Sequence, residues 1–568
     1  MLKGLPIALT LNQNQEAENP AIRKKQPQLL VLVKHFVLRF IKNDSLEFED
    51  QRTELLTFAL AFLAGGGAYI ARYTEKFYFM TIMMTVTAIF CVVNWDNIFL
   101  DSKDYLNLTG LPVKSRTLYI GKFLSILVVV GALSLAFSLP ASFTYTYLET
   151  MGRDVFFFYY WFSLLVTYFL ANLFVFLLVA ALQSLLMFLL KGKTLMKISL
   201  LLQVTLLVGL ASVFVWFPKM YDAVPRLSST FSPVHYYFPP LWFNGLHEKI
   251  IGGSAEVYSL HFYISMAALI IPLVLYGLSL PLGFRHLNRS TNGKKSLRLF
   301  MHRLTVPVKK LFNALFLRDA VQRAVFYFFI NTLKRSRKQK IHLALVMALP
   351  VGFVLTYMIF LHNQIGLSNF NHLNLDMIAF PFILYFFLII GLRTLVEHPV
   401  ALDSNWVFKI TQQPETRHYI KGVKKAMFFY AIFPLCLLLF TFYLYFWQFA
   451  PAVSHSVYGL LTALLLLEVF FFDYRRIPFA TLYNPGAVNF KLVWPVFLVL
   501  FLVYYFLFIR VGLWLLLKPR GNLTFYLIGG IIFIWFRWYR YKNKGMYLVF
   551  DEDEEELNPA MLSLNLSG

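Results

Sequence analysis

FYYWFSLLVTYFLANLFVFLLVAALQSLLMFLL, residues 158–190, carries no charged side chain. A helix needs about 20 apolar residues to cross a bilayer, so this run is a membrane span. It is long enough to tilt strongly or to include an interfacial segment. Eleven further stretches read the same way: 54–71, 78–95, 118–139, 198–216, 261–282, 341–360, 377–395, 426–447, 457–472, 492–508 and 522–536. The eleventh span is the least regular, because the run 493–517 is broken by Arg510 and followed by Lys518 and Arg520. Of the 568 residues, 58 % are hydrophobic and 14 % charged, with mean hydropathy +0.62. No water-soluble fold could hide that much apolar surface. A soluble enzyme, a disordered chain and a nucleic-acid-binding domain are excluded. The expected fold class is all-α: a polytopic membrane protein of about 12 transmembrane helices, with interfacial amphipathic helices.

Lys and Arg set the orientation. With the N-terminus inside, the inner segments hold 41 of the 52 Lys and Arg and the outer loops hold 9, leaving Lys122 and Arg393 within span boundaries. The first 26 residues are polar and lack a signal-peptide core, so both termini are expected in the cytoplasm. The net charge of +23 is thereby mostly explained by cytoplasmic loops. The central loop, 283–340, holds fifteen of these cations and one acid, Asp319. It suits anionic lipid head groups, or docking of an acidic partner. Six consecutive acids, 551–556, stand in the C-terminal tail and could fold back onto that basic loop. Cys91 and Cys436 both lie in apolar runs, so no disulfide framework or cysteine-rich metal site is expected.

The order of elements repeats. Residues 27–42 (PQLLVLVKHFVLRFIK) form an amphipathic basic segment ahead of the first span, and 318–340 has the same character ahead of the seventh. In each part a second span is followed by a polar cytoplasmic loop: WDNIFLDSKDYLNLTGLPVKSRTLYIGK (95–122) and HPVALDSNWVFKITQQPETRHYIKGVKK (398–425). The chain divides into two six-helix halves, 1–290 and 291–568, as in many duplicated transporters.

Familiar catalytic motifs are missing. Gly192-Lys193-Thr194 is a fragment of a phosphate-binding loop, but Met187 stands where its first glycine belongs. His247-Glu248 has no second histidine at metalloprotease spacing. The outer loop 217–260 offers Asp222, His235, His247, Glu248 and Glu256, and reads as an extracellular cap with an amphipathic helix near 239–253. Its Phe238, Leu241, Trp242 and Phe243 would pin it to the outer interface as an aromatic anchor. Within the spans, Gln183 and Gln203 are expected to make interhelical hydrogen bonds. Glu468 is expected to pair near Arg475 and Arg476, and Lys122 and Arg393 to snorkel inward. No span carries the acid chain that an ion-coupled carrier needs.

The loop after the second span contains Asp101, Asp104, Leu106, Leu108, Leu111, Pro112, Val113 and Arg116, a D-x-x-D-x-L-x-L-x-x-L-P-V-x-x-R string. This resembles the first cytoplasmic loop of permeases of the type-2 ABC exporter class. In the second half, 391–393 (GLR), Pro399, 405–408 (NWVF) and 422–424 (GVK) resemble the matching loop of large twelve-helix bacterial permeases. So do 239–243 (PPLWF), 477–479 (IPF) and 483–486 (YNPG), where Asn484 departs from the leucine-like residue of the pattern. The resemblance implies an exporter permease in the bacterial cytoplasmic membrane. It implies that two copies of a separate ABC ATP-binding subunit supply ATP and Mg2+, with no cofactor in this chain. The coupling helices would be 101–116 and 397–419. Leu111, Pro112 and Trp406 would be apolar plugs, framed by the charges of Asp101, Asp104, Arg116 and Lys424, with Glu397 and Asp403 completing the set. The alternatives are an ion-coupled secondary transporter or a polytopic membrane transferase. The substrate is not legible, because 18 % aromatic residues suit an amphiphilic cargo and ordinary bilayer helices equally.

Overall fold

The computed structural model describes residues 28–41, 76–95, 115–150, 156–190, 192–228, 234–287, 310–365, 375–397, 416–472, 490–517, 529–535 and 538–539. Among these residues all regular structure is helical. Eight helices among them are long and apolar enough to cross a membrane, as in an integral membrane protein. The expected span 54–71 lies outside the described residues, and 522–536 is described only from residue 529.

The amphipathic helix α1 (Gln28–Ile41) comes first, then α2 (Lys76–Val93), α3 (Ser115–Thr150), α4 (Phe157–Leu189) and α5 (Gly192–Ser228). The short helix α6 (Pro239–Ile250) precedes α7 (Glu256–Leu287). A second amphipathic helix, α8 (Ala320–Arg335), leads into α9 (Arg337–Ile365) and α10 (Leu375–Glu397). The expected amphipathic segments at 27–42, 318–334 and 239–253 are thus α1, α8 and α6. Next come α11 (Thr416–Met427) and α12 (Phe433–Phe446), joined by a π turn (Phe428–Ile432). Pro434 stands just after that turn. Proline has no N–H to donate and its ring crowds the carbonyl four residues back, and the wider turn relieves both. The helices α13 (Phe449–Phe470) and α14 (Phe490–Leu517) follow.

Hydrogen bonds define the up-and-down order. Lys76, at the start of α2, meets Tyr160, at the start of α4. At the opposite end, Gln183 of α4 donates to the Trp95 carbonyl at 2.8 Å. Gln203 of α5 donates to the Val92 carbonyl at 2.7 Å. Both glutamines are buried and make the interhelical bonds expected of them. Each such bond contributes about 0.6 kcal/mol in a membrane interior.

The helix pairs recur in order. Early in the chain α1 lies on α3, α2 packs on α4 and α5, and α3 packs on α4. Later, α8 lies on α11, α10 packs on α13 and α14, and α12 packs on α13. The helix α9 touches both groups, α10 on one side and α5 on the other. A Cβ on Gly352 of α9 would sit 2.9 Å from the Ser212 backbone nitrogen, so the two helices approach through small residues. At the end of this contact Arg337 donates to Ser199 Oγ (3.0 Å) and to Gln203 Oε1 (3.3 Å).

Candidate functional site

The loops 96–114 and 398–415 carry Asp101, Asp104, Leu111, Pro112, Asp403 and Trp406, and these residues lie outside the described ones. Arg116 is the second residue of α3 and Glu397 the last of α10, where the loops join their helices. The described structure holds the loops' ends, and it holds them alike. Each following helix is crossed by an amphipathic helix at a glycine.

In the first crossing, α1 lies over Gly121 of α3. A Cβ there would be 3.2 Å from Leu32 Cβ. Leu32 and Phe36 of α1 are buried, four positions apart on one face. Lys122 is buried, and its ammonium lies 4.9 Å from the Phe36 ring centroid, a cation–π contact that holds the charge against α1.

In the second crossing, α8 lies over Gly422 of α11. A Cβ there would be 2.9 Å from the Gln322 carbonyl oxygen and 3.0 Å from Val325 Cβ. Polar contacts surround the crossing. Asp319 caps α8 by accepting from the Val321 N–H at 3.1 Å. Its other oxygen meets His418 Nδ1 of α11. Lys425 donates to Gln322 Oε1 at 2.7 Å and to the Phe316 carbonyl at 2.8 Å. Burial works against ionisation of Asp319, but the Val321 N–H and His418 outweigh it and hold the carboxyl below its usual range.

Lys424 reaches from α11 to α13. Its ammonium pairs with Glu468 of α13, and both side chains are largely buried. Glu468 therefore has a partner 44 positions back in the chain. The expected neighbours, Arg475 and Arg476, lie outside the described residues. The pair ties the last turn of α11 to the end of α13.

A second polar cluster lies at the other end of the first group of helices. Lys76 of α2 meets the Tyr160 hydroxyl and, at 3.2 Å, the Glu248 carboxylate of α6. Beside it His247 Nδ1 lies 3.0 Å from Ser163 Oγ of α4. Tyr159 Oη donates to the Ile250 carbonyl at 2.6 Å, fastening the end of α6. Burial, and then the charge of Lys76, pushes the His247 pKa down to about 3, so the ring is neutral at physiological pH. The aromatic-anchor reading of this helix needs correction. Leu241 and Phe243 are buried against the bundle, with Phe238 and Trp242 half-buried beside them, so much of the apolar face of α6 packs inward. Gly245 permits this docking, since a Cβ there would lie 2.2 Å from His261 Nδ1. Sequence reasoning missed the cluster because Lys76 and Glu248 are 172 positions apart. The one local signal was a His-Glu pair on an amphipathic helix.

Among the described residues, no group of three His, Cys, Asp or Glu stands close enough to hold a metal ion. No family model matches the chain, and no curated protein or solved structure is recognisably similar to it.

Proposed function

We propose that the chain is the membrane-spanning permease subunit of an ATP-binding cassette exporter. In this reading it has about twelve spans in two halves, sits in a bacterial cytoplasmic membrane, and works with two copies of a separate ATPase subunit that binds ATP and Mg2+. The observation that carries the reading is the paired clamp. The helix after each candidate coupling loop is crossed at a glycine, Gly121 or Gly422, by an amphipathic helix. A loop so anchored can pass a push from a soluble partner into the bundle, because close-packed helices move as rigid bodies. Through Lys424 and Glu468 a push on 398–415 would reach α13 as well as α11. With twelve spans and the N-terminus inside, 41 of the 52 cations fall in the inner segments, the balance expected of cytoplasmic loops.

The test is purification of the tagged chain in mild detergent with its co-eluting proteins and their ATPase activity. A stoichiometric ATPase is expected. It should be lost, with membrane insertion intact, when Asp104→Arg and Arg116→Asp are combined. Transport unchanged by that double reversal, or a clean preparation without an ATPase, would sink the assignment.

A second reading, an ion-coupled carrier, rests on Glu468, the buried carboxylate among the described residues. Intramembrane acids mark ion pathways. Under that reading Glu468→Gln would abolish gradient-driven uptake in proteoliposomes that contain no ATPase.

A further inference from the structure

Polar groups buried between the helices are sealed there. Ser134, Ser138, Ser142 and Thr146 recur every four residues along α3 and are all buried. Asn172 of α4 accepts from Thr87 of α2 at 2.9 Å and donates to Ser134 at 3.0 Å. Thr462 of α13 is also buried and donates to the Gly459 carbonyl of its own helix at 2.8 Å. The bend between α8 and α9 is the opposite case, a set of charges open to the surroundings.

That bend turns on one residue. Ser336 is extended, and its N–H closes α8 by donating to the Thr332 carbonyl. Its Oγ accepts from the Gln339 N–H at 3.4 Å, at the start of α9. Five cations in the seven residues 334–340 (KRSRKQK) are thereby held at one bend. Lys334, Arg335 and Lys338 are exposed. Arg337 donates to Ser199 Oγ at 3.0 Å, which fixes the start of α5 beside the bend. Lys197 of α5, two residues earlier, is exposed as well. Acids are scarce here. The first turn of α9 has none, although a helix N-terminus carries positive partial charge and repels cations. Alongside, His342 Nε2 lies 3.4 Å from Thr394 Oγ1 of α10, so α10 brings Glu397 to this end and keeps its other acid, Asp376, at the far one.

Along both helices the surface then turns apolar. Leu345 and Leu349 follow Lys338 on one face of α9, and both are exposed. Leu201 follows Lys197 by four residues on α5 and is exposed too. Cations followed by exposed leucines on the same helix face match an amphiphile, with an anionic head at the cations and apolar chains along the leucines. A soluble acidic chain would use the cations and leave the leucines bare. Composition left lipid and acidic partner equally open for 283–340, and the leucine faces favour lipid.

We propose that the α8–α9 bend, with Lys197 of α5, binds the headgroup of an anionic phospholipid. Lys334, Arg335, Lys338 and Lys197 meet its phosphate, and its acyl chains lie along Leu345, Leu349 and Leu201. The proposal is independent of the exporter reading, since it needs only this chain and a bilayer.

The test places full-length protein in phosphatidylcholine vesicles with a trace of spin-labelled phosphatidylglycerol or phosphatidylcholine. Electron paramagnetic resonance measures the fraction of label held at the protein. Lys334→Gln, Arg335→Gln and Lys338→Gln are combined as the bend variant. The control combines Lys34→Gln on α1 with Arg318→Gln and Arg323→Gln at the far end of α8, three exposed cations that remove the same charge. The preference for phosphatidylglycerol is expected to fall several-fold in the bend variant and to stay near the native value in the control. An equal fall in both variants, or no preference in the native protein, overturns the site. Glycerol 3-phosphate in the buffer is expected to leave the preference unchanged. If it abolishes the preference, a free phosphate suffices and the lipid assignment falls. If the bend variant keeps its lipid preference but loses binding of hexaglutamate, the patch docks an acidic chain and the proposal falls. Should the bend variant not elute as a single species, Lys197→Gln with Lys338→Gln replaces it, against Lys34→Gln with Arg323→Gln.

Discussion

The α2–α3–α4 seam and the α10–α12–α13 seam occupy matching places in the order of helix packing, yet they are built of opposite materials. The first is hydroxyls around an amide. The second is rings: Phe382 contacts His455, Tyr458 and Tyr504, and Tyr443 stacks on Trp447 at 4.6 Å. In the aromatic seam the phenols of Tyr443 and Tyr458 are satisfied by the Met377 and Phe508 carbonyls, at 2.8 and 2.9 Å.

The largest effect should come from emptying the aromatic seam. Phe382→Ala removes a fully buried ring. It should cost about 3–5 kcal/mol, seen as a marked fall in melting temperature in detergent. Ser138→Ala on the other side removes a hydroxyl with no partner among the described residues and should be neutral or slightly stabilising. Equal losses at both sites would show that ring packing does not set the aromatic seam apart.

The two glycine crossings should differ next. At Gly422 an alanine methyl would meet a backbone carbonyl at 2.9 Å, which has little room to move. At Gly121 it would meet Leu32 Cβ at 3.2 Å, where α1 can shift by a few tenths of an ångström. Gly422→Ala should destabilise by about 1–3 kcal/mol and Gly121→Ala by less, compared by thermal unfolding of the two variants. The reverse order would mean that α1, not α8, is the more rigid clamp.

A smaller effect separates the polar bonds. Asn172→Leu deletes two interhelical hydrogen bonds and should cost about 1 kcal/mol. Thr462→Val deletes one bond within a single turn and should cost less. Matching losses would show that Asn172 does not join its three helices.

The smallest effect is in pH. The Asp319 carboxyl is held below its usual range, so its contribution is fully present above the ordinary carboxylate pKa. It fades as pH falls through the depressed value. Hydrogen exchange in α8 should rise in acid, while α1, whose crossing with α3 carries no carboxylate among the described residues, should lose no protection by this route. Equal loss in both helices would remove Asp319 as the cause.

Much of this was legible from residue order. Eight apolar spans, both amphipathic helices and the α6 cap follow from hydropathy and period. Gln183 and Gln203 announced interhelical bonds, but not that their acceptors would be carbonyls at the end of α2. The four-residue recurrence of hydroxyls on α3 was in plain view and carried no weight, since isolated Ser and Thr are ordinary in membrane helices. The candidate coupling loops were legible as motifs alone.

The sequence by itself determined that this chain lives in a bilayer as helices, because in hydrocarbon each span must satisfy its own backbone and an apolar run can do so only by coiling. Only the tertiary structure decided which polar groups meet. Lys424 with Glu468, Lys76 with Glu248, and Asn172 with Thr87 and Ser134 are joined across 38 to 172 positions. Such partners are chosen by which helix faces come together, and helix packing is a property of the whole bundle that no local pattern encodes.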